Sequence, residues 1–460
     1  MASQSMAGAP LAARWTASRP ALWLAFAAVH GWLAFVGVVL LRAYAFSDVD
    51  LYRYWVALGT HNGFWPVLSS PWVYPVGALV PMLVPAGLVG TDSTTAYMFT
   101  WCALVTALDA VAVWALVRRG GTGAAWWWLA FLLLLGPVAM GRIDAIVAPV
   151  VIVALLLAAR RPQLAVTLLT VGAWIKVAPG ALLLPLVMIA RRPLRDVVLP
   201  GALVSLWVVA AVVAGGGRRN VASFLFAQGA RGLQIESVTA SPWAVASLVR
   251  DDVAIVLNKK LSTWEAIGPG TLGAARLLDV LLPLALGGVA LLLWRARSRP
   301  LDVLVWGPLA IALVLIVVNK VGSPQFIGWL GPPVAVALAV RSALTRGDAV
   351  GVPGGVMRDG VLGDGVPGDG VPGDGVLGDG LERDGSRSRS ALASVPGVGA
   401  LVLVIAGLTQ IVFPLAYMSL LTGSAVVTAV LVLRNALLLG LLVGVCVILA
   451  RGRANGAASS

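Results

Sequence analysis

"GRIDAIVAPVVIVALLLAARRPQLAVTLLTVGAWIKVAPGALLLPLVMIARRPLR", residues 141–195, decides the fold. Three apolar runs follow one another, parted by Arg160 and Arg161 and then by a polar turn at Lys176, and the stretch closes on Arg191, Arg192 and Arg195. Backbone in lipid has no water to bond, so runs of this kind must be helices. The rest of the chain repeats the pattern. Of its 460 residues 59% are hydrophobic and only 12% charged, against about a quarter charged in a soluble domain. This is the composition of an integral membrane protein.

The net charge of +13 would suggest nucleic acid on a soluble chain. Here the arginines sit in short clusters between apolar runs, where they report topology, so no nucleic-acid partner is expected. Cys102 and Cys446 both lie inside apolar runs and read as small core hydrophobes. His30 and His61 stand far apart. Neither pair suggests a metal site, and no cofactor is expected.

The clusters "RRGG" (118–121), "RRPQ" (160–163), "RRPLR" (191–195), "RARSR" (295–299) and "RGR" (451–453) read as cytoplasmic. Threading apolar runs between them predicts an all-α, polytopic protein of about twelve transmembrane helices: 20–42, 95–117, 124–139, 143–159, 163–175, 177–190, 197–214, 274–294, 302–319, 325–341, 398–416 and 432–450. Both termini then face the cytoplasm, and the expected location is the plasma membrane. Arg14 and Arg19 before the first run, with "AYA" at 43–45, resemble a signal peptide. The run from Ala21 to Leu41 exceeds the usual apolar core of about 7–15 residues, so it reads as an uncleaved first span.

The expected organisation is a cytoplasmic tail (1–19), a membrane core (20–341) with outer loops 43–94 and 215–273, a linker (342–397), two C-terminal helices (398–451) and a tail (452–460). The segment 75–90 is short and holds Pro75, Pro81 and Pro85, so it reads as an interfacial or re-entrant piece of the first loop. The spans 163–175 and 177–190 are also short, and broken helices are tolerated where they line a protein-walled cavity. The five-residue repeats in 352–390, "VPGDG" and its variants, predict a disordered cytoplasmic linker.

With this topology the unusual polar residues fall on one side. Asp48 and Asp50 follow the first span; "GRID" brings Arg142 and Asp144; Lys176 ends a helix; "RGLQIES" (231–237) brings Arg231, Gln234 and Glu236; "NKVGSPQF" (319–326) brings Lys320, Ser323 and Gln325. Taken singly, each has a structural reading: a snorkelling lysine, a local ion pair, a helix cap for Asp48 or Asp50. Asp109 and Asp279, inside predicted spans, are functional candidates by default or paired structural charges. Gathered at one membrane face, the outer segments predict a polar cavity suited to group transfer from a lipid phosphate. Lys176, Arg231 and Lys320 would hold the phosphate, Lys176 being the weaker candidate, and a carboxylate would take a proton from an acceptor hydroxyl.

"SDVDLYRYW", "YP" at 74–75, "GRIDAIVAPVVIVALLLAARRP", "GAWIKVAPGALLLPLV", "RGLQIESVTASPW" and "NKVGSPQFIGWL", in that order, resemble the GT-C glycosyltransferases, and within them family 87, the polyprenyl-phosphate-mannose-dependent alpha-mannosyltransferases. The resemblance covers most of the chain outside the linker and tails. It implies a GT-C-like fold, a polyprenyl-phosphate-mannose donor, a glycolipid or glycan acceptor and an inverting transfer at the outer face. It also implies a catalytic acid four residues before a tyrosine, which gives Asp48 and Tyr52, with Asp50 second, and Tyr74 on the substrate. The chain departs from the family at Val73, where relatives have an acid, at Val76, where they have a second proline, and in lacking the upstream "PY". It also reads "SPQFIGW" where the phosphatidylinositol mannoside enzymes carry histidines, which points to another acceptor. The rival readings are the same fold with polyprenyl-phosphate-arabinose, or a transporter or lipid flippase. Transporters keep ionisable residues near the midplane and often show inverted repeats; here the motifs gather at one face.

Overall fold

The computed structural model describes residues 18–226, 229, 231–348, 350–352, 355–358, 361–363 and 392–451. Among them, nine helices are long and apolar enough to cross a membrane. In chain order the helices are α1 (Arg19–Leu40), α2 (Ser47–Asn62), α3 (Val76–Val89), α4 (Thr94–Gly120), α5 (Thr122–Ala139), α6 (Asp144–Leu157), α7 (Pro162–Ile175), α8 (Ala178–Ile189), α9 (Leu194–Ala214), α10 (Thr271–Arg295), α11 (Pro300–Val317), α12 (Pro324–Thr345), α13 (Val395–Leu415) and α14 (Ala425–Arg451). Each run expected to be a span is helical. The fold is all-α through the membrane, and the segments at α6, α7 and α8 are the short ones.

That shortness has a consequence. α6 and α7 have 14 residues each, about 21 Å at 1.5 Å per residue, against a hydrocarbon core of about 30 Å. Their polar ends therefore stop inside protein rather than in water. α11 runs through the middle of the bundle with 83% of its apolar window buried, whereas α9 and α10, at 11% and 17%, present most of their surface to lipid. Trp101, Trp128 and Trp306 fill the interior.

At one end of the bundle arginines close the helices. Arg346 donates to Gly120 O (2.8 Å) at the C-terminus of α4, and Arg299 to Leu449 O (2.6 Å) near that of α14. Each places a cation on carbonyls that have no partner in their own helix, at the negative end of its dipole.

The first connecting segment differs from the expected loop. It folds into α2 and α3, and α2 begins at Ser47 with Phe46 as its N-cap and no side-chain cap bond. Asp48 and Asp50 thus occupy the first turn of α2 and cap nothing. The segment 215–273 carries a hairpin, β1 (Ala254–Asn258) antiparallel to β2 (Thr263–Ile267). The expected linker begins later and ends earlier than 342–397, because α12 continues to Thr345 and α13 starts at Val395. Its first part is not unstructured. Val350–Val352, Gly355–Arg358 and Val361–Gly363 pair antiparallel, in a sequence where "PG" and "DG" separate valine-bearing triplets. The rest of the expected linker, 349, 353–354, 359–360 and 364–391, and the tails at 1–17 and 452–460 lie outside the described residues.

The segment 231–237 is pinned at four places. Gln234 N donates to Lys320 O (3.0 Å) and Ile235 N to Trp264 O (3.0 Å). Tyr417 OH donates to Glu236 Oε1 (2.7 Å), Arg434 of α14 donates to Glu236 O, and Asn435 Nδ2 to Ser237 O (3.2 Å). The turn at 319–323 crosses this segment so closely that a Cβ on Gly322 would lie 2.1 Å from Ser237 N, with backbone on the far side. Gly322→Ala is expected to cost roughly 1–3 kcal/mol through overpacking and to lower the unfolding temperature of the detergent-purified protein. Gly31→Ala, inside α1 with nothing within 4 Å of the added carbon, is the control that should not lower it, since alanine is favoured over glycine within a helix.

Candidate active site

The end opposite the arginine-closed turns holds the predicted polar residues, and the half-length helices put them there. The turn before α6 meets the first turn of α2. A Cβ on Gly141 would fall 2.4 Å from Ala45 O, so only glycine permits the approach. It brings Arg142 Nη1 to 2.5 Å from Asp48 Oδ1, while Arg142 Nη2 donates to Tyr44 O (3.1 Å). Arg142 is 6% exposed and lies over the ring of Phe413. Ile143 N donates to Tyr52 OH (3.1 Å), and the Tyr52 and Tyr74 rings meet edge to face, 6.1 Å between centroids.

Two residues on, Asp144 accepts from Trp329 Nε1 (2.7 Å) and lies 3.4 Å from Lys176 Nζ. Lys176 sits between the faces of Tyr74 (5.1 Å) and Phe326 (5.6 Å), where ring quadrupoles favour a cation. Burial works against the charge of Lys176, but Asp144, Tyr74 and Asp48 together outweigh it and raise its pKa above 10.5. Burial raises the Tyr74 phenol too, against the opposing pull of Lys176. Both groups therefore keep their protons at neutral pH. Arg231 comes from the far side, on a strand of chain fixed by Gly232 N donating to Glu265 Oε1 of β2 (3.1 Å).

Beside these groups lies a cavity of about 250 Å³, whose polar wall is Tyr74, Lys176, Arg231, Asn319, Ser323 and Gln325 and whose apolar wall includes Phe224, Phe326 and Trp329; Asp48, Tyr52, Arg142 and Asp144 stand behind that wall and do not line it. Asp48 stands close enough for its charge to act on Tyr74, Lys176 and Arg231, and its carboxylate is 29% exposed. A narrow apolar slot shares Ala178, Leu315 and Trp329 with the cavity and continues between α6 and α11 past Val147, Val151 and Leu182.

Other predicted residues lie beside this cavity and not in its wall. Asp50 accepts from Arg53 Nε (2.9 Å), and Arg53 Nη1 donates to Thr91 O (2.5 Å), so that pair ties α2 to the start of α4. Lys320 is turned to Asp279 of α10 (2.9 Å) and to Gly229 O (3.2 Å). Gln234 Oε1 accepts from Gly322 N (3.2 Å), and Glu236 is buried against Tyr417. Three residues were not anticipated: Asn319 and Trp329 in the walls, and Arg434. A charged residue inside the apolar run "VLVLRNALLLG" was a signal that could have found Arg434.

No protein-family model matches the chain, and no curated protein matches it. Among solved structures, it is similar to ArnT from Cupriavidus metallidurans in the apo state, at 17% identity and a TM-score of 0.42. It is likewise similar to that protein bound to undecaprenyl phosphate, at 16% identity and a TM-score of 0.44. Both alignments cover 96% of this chain and 80% of that one. Likeness of this extent assigns no role to any residue here.

The geometry of Lys176 generates a prediction. Because its folded pKa is raised, the stabilisation from its pairing is complete below pH 10.5 and is lost only as pH rises through that raised value. Removing the cation leaves Asp144 buried beside Trp329 alone. Lys176→Met is expected to cost roughly 3–5 kcal/mol, and Lys176→Met with Asp144→Asn distinctly less. Thermal or denaturant unfolding of the two variants checks both values.

Proposed function

We propose that this chain is a membrane glycosyltransferase of the GT-C kind, moving a sugar from a polyprenyl phosphate to a hydroxyl of a glycolipid or glycan acceptor. The observation that carries this reading is the joining of a cation-walled cavity to an apolar slot inside the helix bundle. A lipid-linked anionic donor has the same two halves. We place its phosphate beside Lys176 and Arg231 and the start of its isoprenoid chain at the mouth of the slot between α6 and α11, which at about 30 Å³ must widen to take more of the chain. A transporter is the poorer reading, because the polar residues gather at one end of the bundle and not at its middle.

In the proposed reaction the acceptor oxygen attacks the anomeric carbon. The bond from that carbon to the phosphate oxygen breaks with inversion, and the polyprenyl phosphate leaves. Lys176 and Arg231 hold the departing charge. Asp48 takes the acceptor's proton. Arg142, fixed by Tyr44 O, holds that carboxylate in place. Tyr74 remains a phenol and donates to a sugar or phosphate oxygen. Asn319, Ser323 and Gln325 supply the remaining polar contacts to the sugar. Lys320 and Asp279 are assigned to holding the turn at 319–323 against the segment at 229–237, and Asp50 to orienting α2. The sugar proposed is mannose, following the family 87 resemblance, with arabinose as the alternative. The cavity is assigned to the outer face, with both termini cytoplasmic, because the arginine-rich turns gather at the other end.

The decisive experiment is product analysis. Membranes with and without the protein are given radiolabelled polyprenyl-phosphate-mannose or the arabinose analogue, together with candidate acceptors. Label must move to a glycolipid or glycan only when the protein is present; no transfer from either donor would sink the reading.

Two residue-level outcomes follow from the assigned roles. Asp48→Asn keeps the shape of the side chain and removes the base, so turnover should fall about a hundredfold to ten-thousandfold while the protein still binds donor. Asp50→Asn should cost far less, and the reverse order would move the base to Asp50. Arg231→Ala should raise the donor KM or lower kcat by roughly tenfold to a thousandfold. Lys320→Ala should act mainly on stability; measuring kinetics at limiting donor beside unfolding separates the two.

A further inference from the structure

The turn between α6 and α7 and the turn between α8 and α9 meet at the end of the bundle away from the cavity. Together they wall an open cleft of about 600 Å³ with Arg160, Arg161, Arg191, Arg192 and Arg195, and Asp196 is the one acid lining it. Gln163 Nε2 donates to Arg195 O (3.5 Å), which joins the two turns. Arginines scattered along the cytoplasmic edge are expected of any membrane protein. Five around one cleft are a different matter, because like charges at close range repel and an anion among them offsets that cost.

The neighbouring basic turn is built otherwise. There Arg297 folds onto the ring of Trp294 (4.4 Å) and donates to Trp294 O (3.1 Å).

The surroundings of the cleft select the anion. α9 rises directly from it, with Leu194 75% exposed, and Leu199, Leu203, Leu206 and Trp207 also exposed. Only 11% of this helix's apolar window is buried. An acyl chain lying on that face brings its headgroup to the arginines. We infer that the cleft binds the phosphate headgroup of an anionic phospholipid, whose chains lie along α9. This site is separate from the proposed active site and does not depend on the function assigned there.

The test uses the intact protein in neutral detergent, titrated with phosphatidylglycerol or phosphatidylcholine and read by native mass spectrometry. Phosphatidylglycerol should be retained preferentially. Affinity should fall about fivefold per arginine removed, and about a hundredfold in the Arg161→Gln, Arg192→Gln, Arg195→Gln triple variant. The Arg295→Gln, Arg297→Gln variant removes two charges outside the cleft and should leave retention unchanged. If it weakens retention per charge as much as the cleft variants do, the lipid senses only general surface charge and the inference fails. Equal retention of the two lipids would also overturn it. So would displacement of phosphatidylglycerol by micromolar inorganic phosphate, which would make the ligand a soluble anion. If the triple variant is not recovered folded, Arg161→Gln and Arg192→Gln singly decide: a loss of about fivefold in each supports the site, and no change in either removes it.

Discussion

Asp48 and Arg142, 2.5 Å apart, tie the first turn of α2 to the turn before α6, and the rest of the site is strung from that tie. From Arg142 the chain passes through Ile143, whose amide holds Tyr52, to Asp144, which faces Lys176. Lys176 lies on the face of Tyr74, and Tyr74 packs edge-on against Tyr52. The result is a closed ring of contacts drawn from α2, the segment at 74, the start of α6 and the turn after α7. Charges taken out of water must be paired and hydrogen-bonded or they are costly, so the ring has few ways to rearrange. Cations held in this way need little reorganisation to meet an anion.

The half-length helices are what make the ring possible. A full span would carry Asp144 and Lys176 to the water at the membrane surface. Stopping α6 and α7 at 14 residues leaves these ends within the protein, beside an apolar slot that opens toward α11. One feature of length thus sets both the burial of the charges and their nearness to lipid. The opposite end of the bundle obeys another rule. There arginines close helix C-termini through carbonyls, and the cleft between the two turns holds five of them against one acid.

The spans were legible in the sequence because burial in lipid demands hydrophobicity of every residue in a run, and the polar gathering at one face followed from the arginine clusters. α2 was not legible as a buried support. Its buried residues, Val49, Tyr52, Val56 and Gly59, do keep helical spacing, but its mixed composition reads as a loop by hydropathy. Pairings were out of reach for a different reason. Lys320 meets Asp279 across 41 residues and Tyr417 meets Glu236 across 181, and nothing local distinguishes such a lysine from one facing a cavity. The sequence therefore placed Lys320 among the phosphate-binding candidates and ranked Lys176 below it, whereas it is Lys176 that lines the cavity.

The two acids of "SDVD" show how a short separation divides roles. Residues two apart on an α-helix point about 200° from each other, so Asp48 and Asp50 have to face different neighbours. Asp48 faces Arg142, and Asp50 faces Arg53. Arg53 in turn reaches Thr91 O just before α4, so Asp50 fixes the rotation of α2 about its axis. That rotation is what aims Asp48. Under the proposed roles, Asp50 supports Asp48 without entering the chemistry, and a change at Asp50 acts only through the angle at which α2 is held.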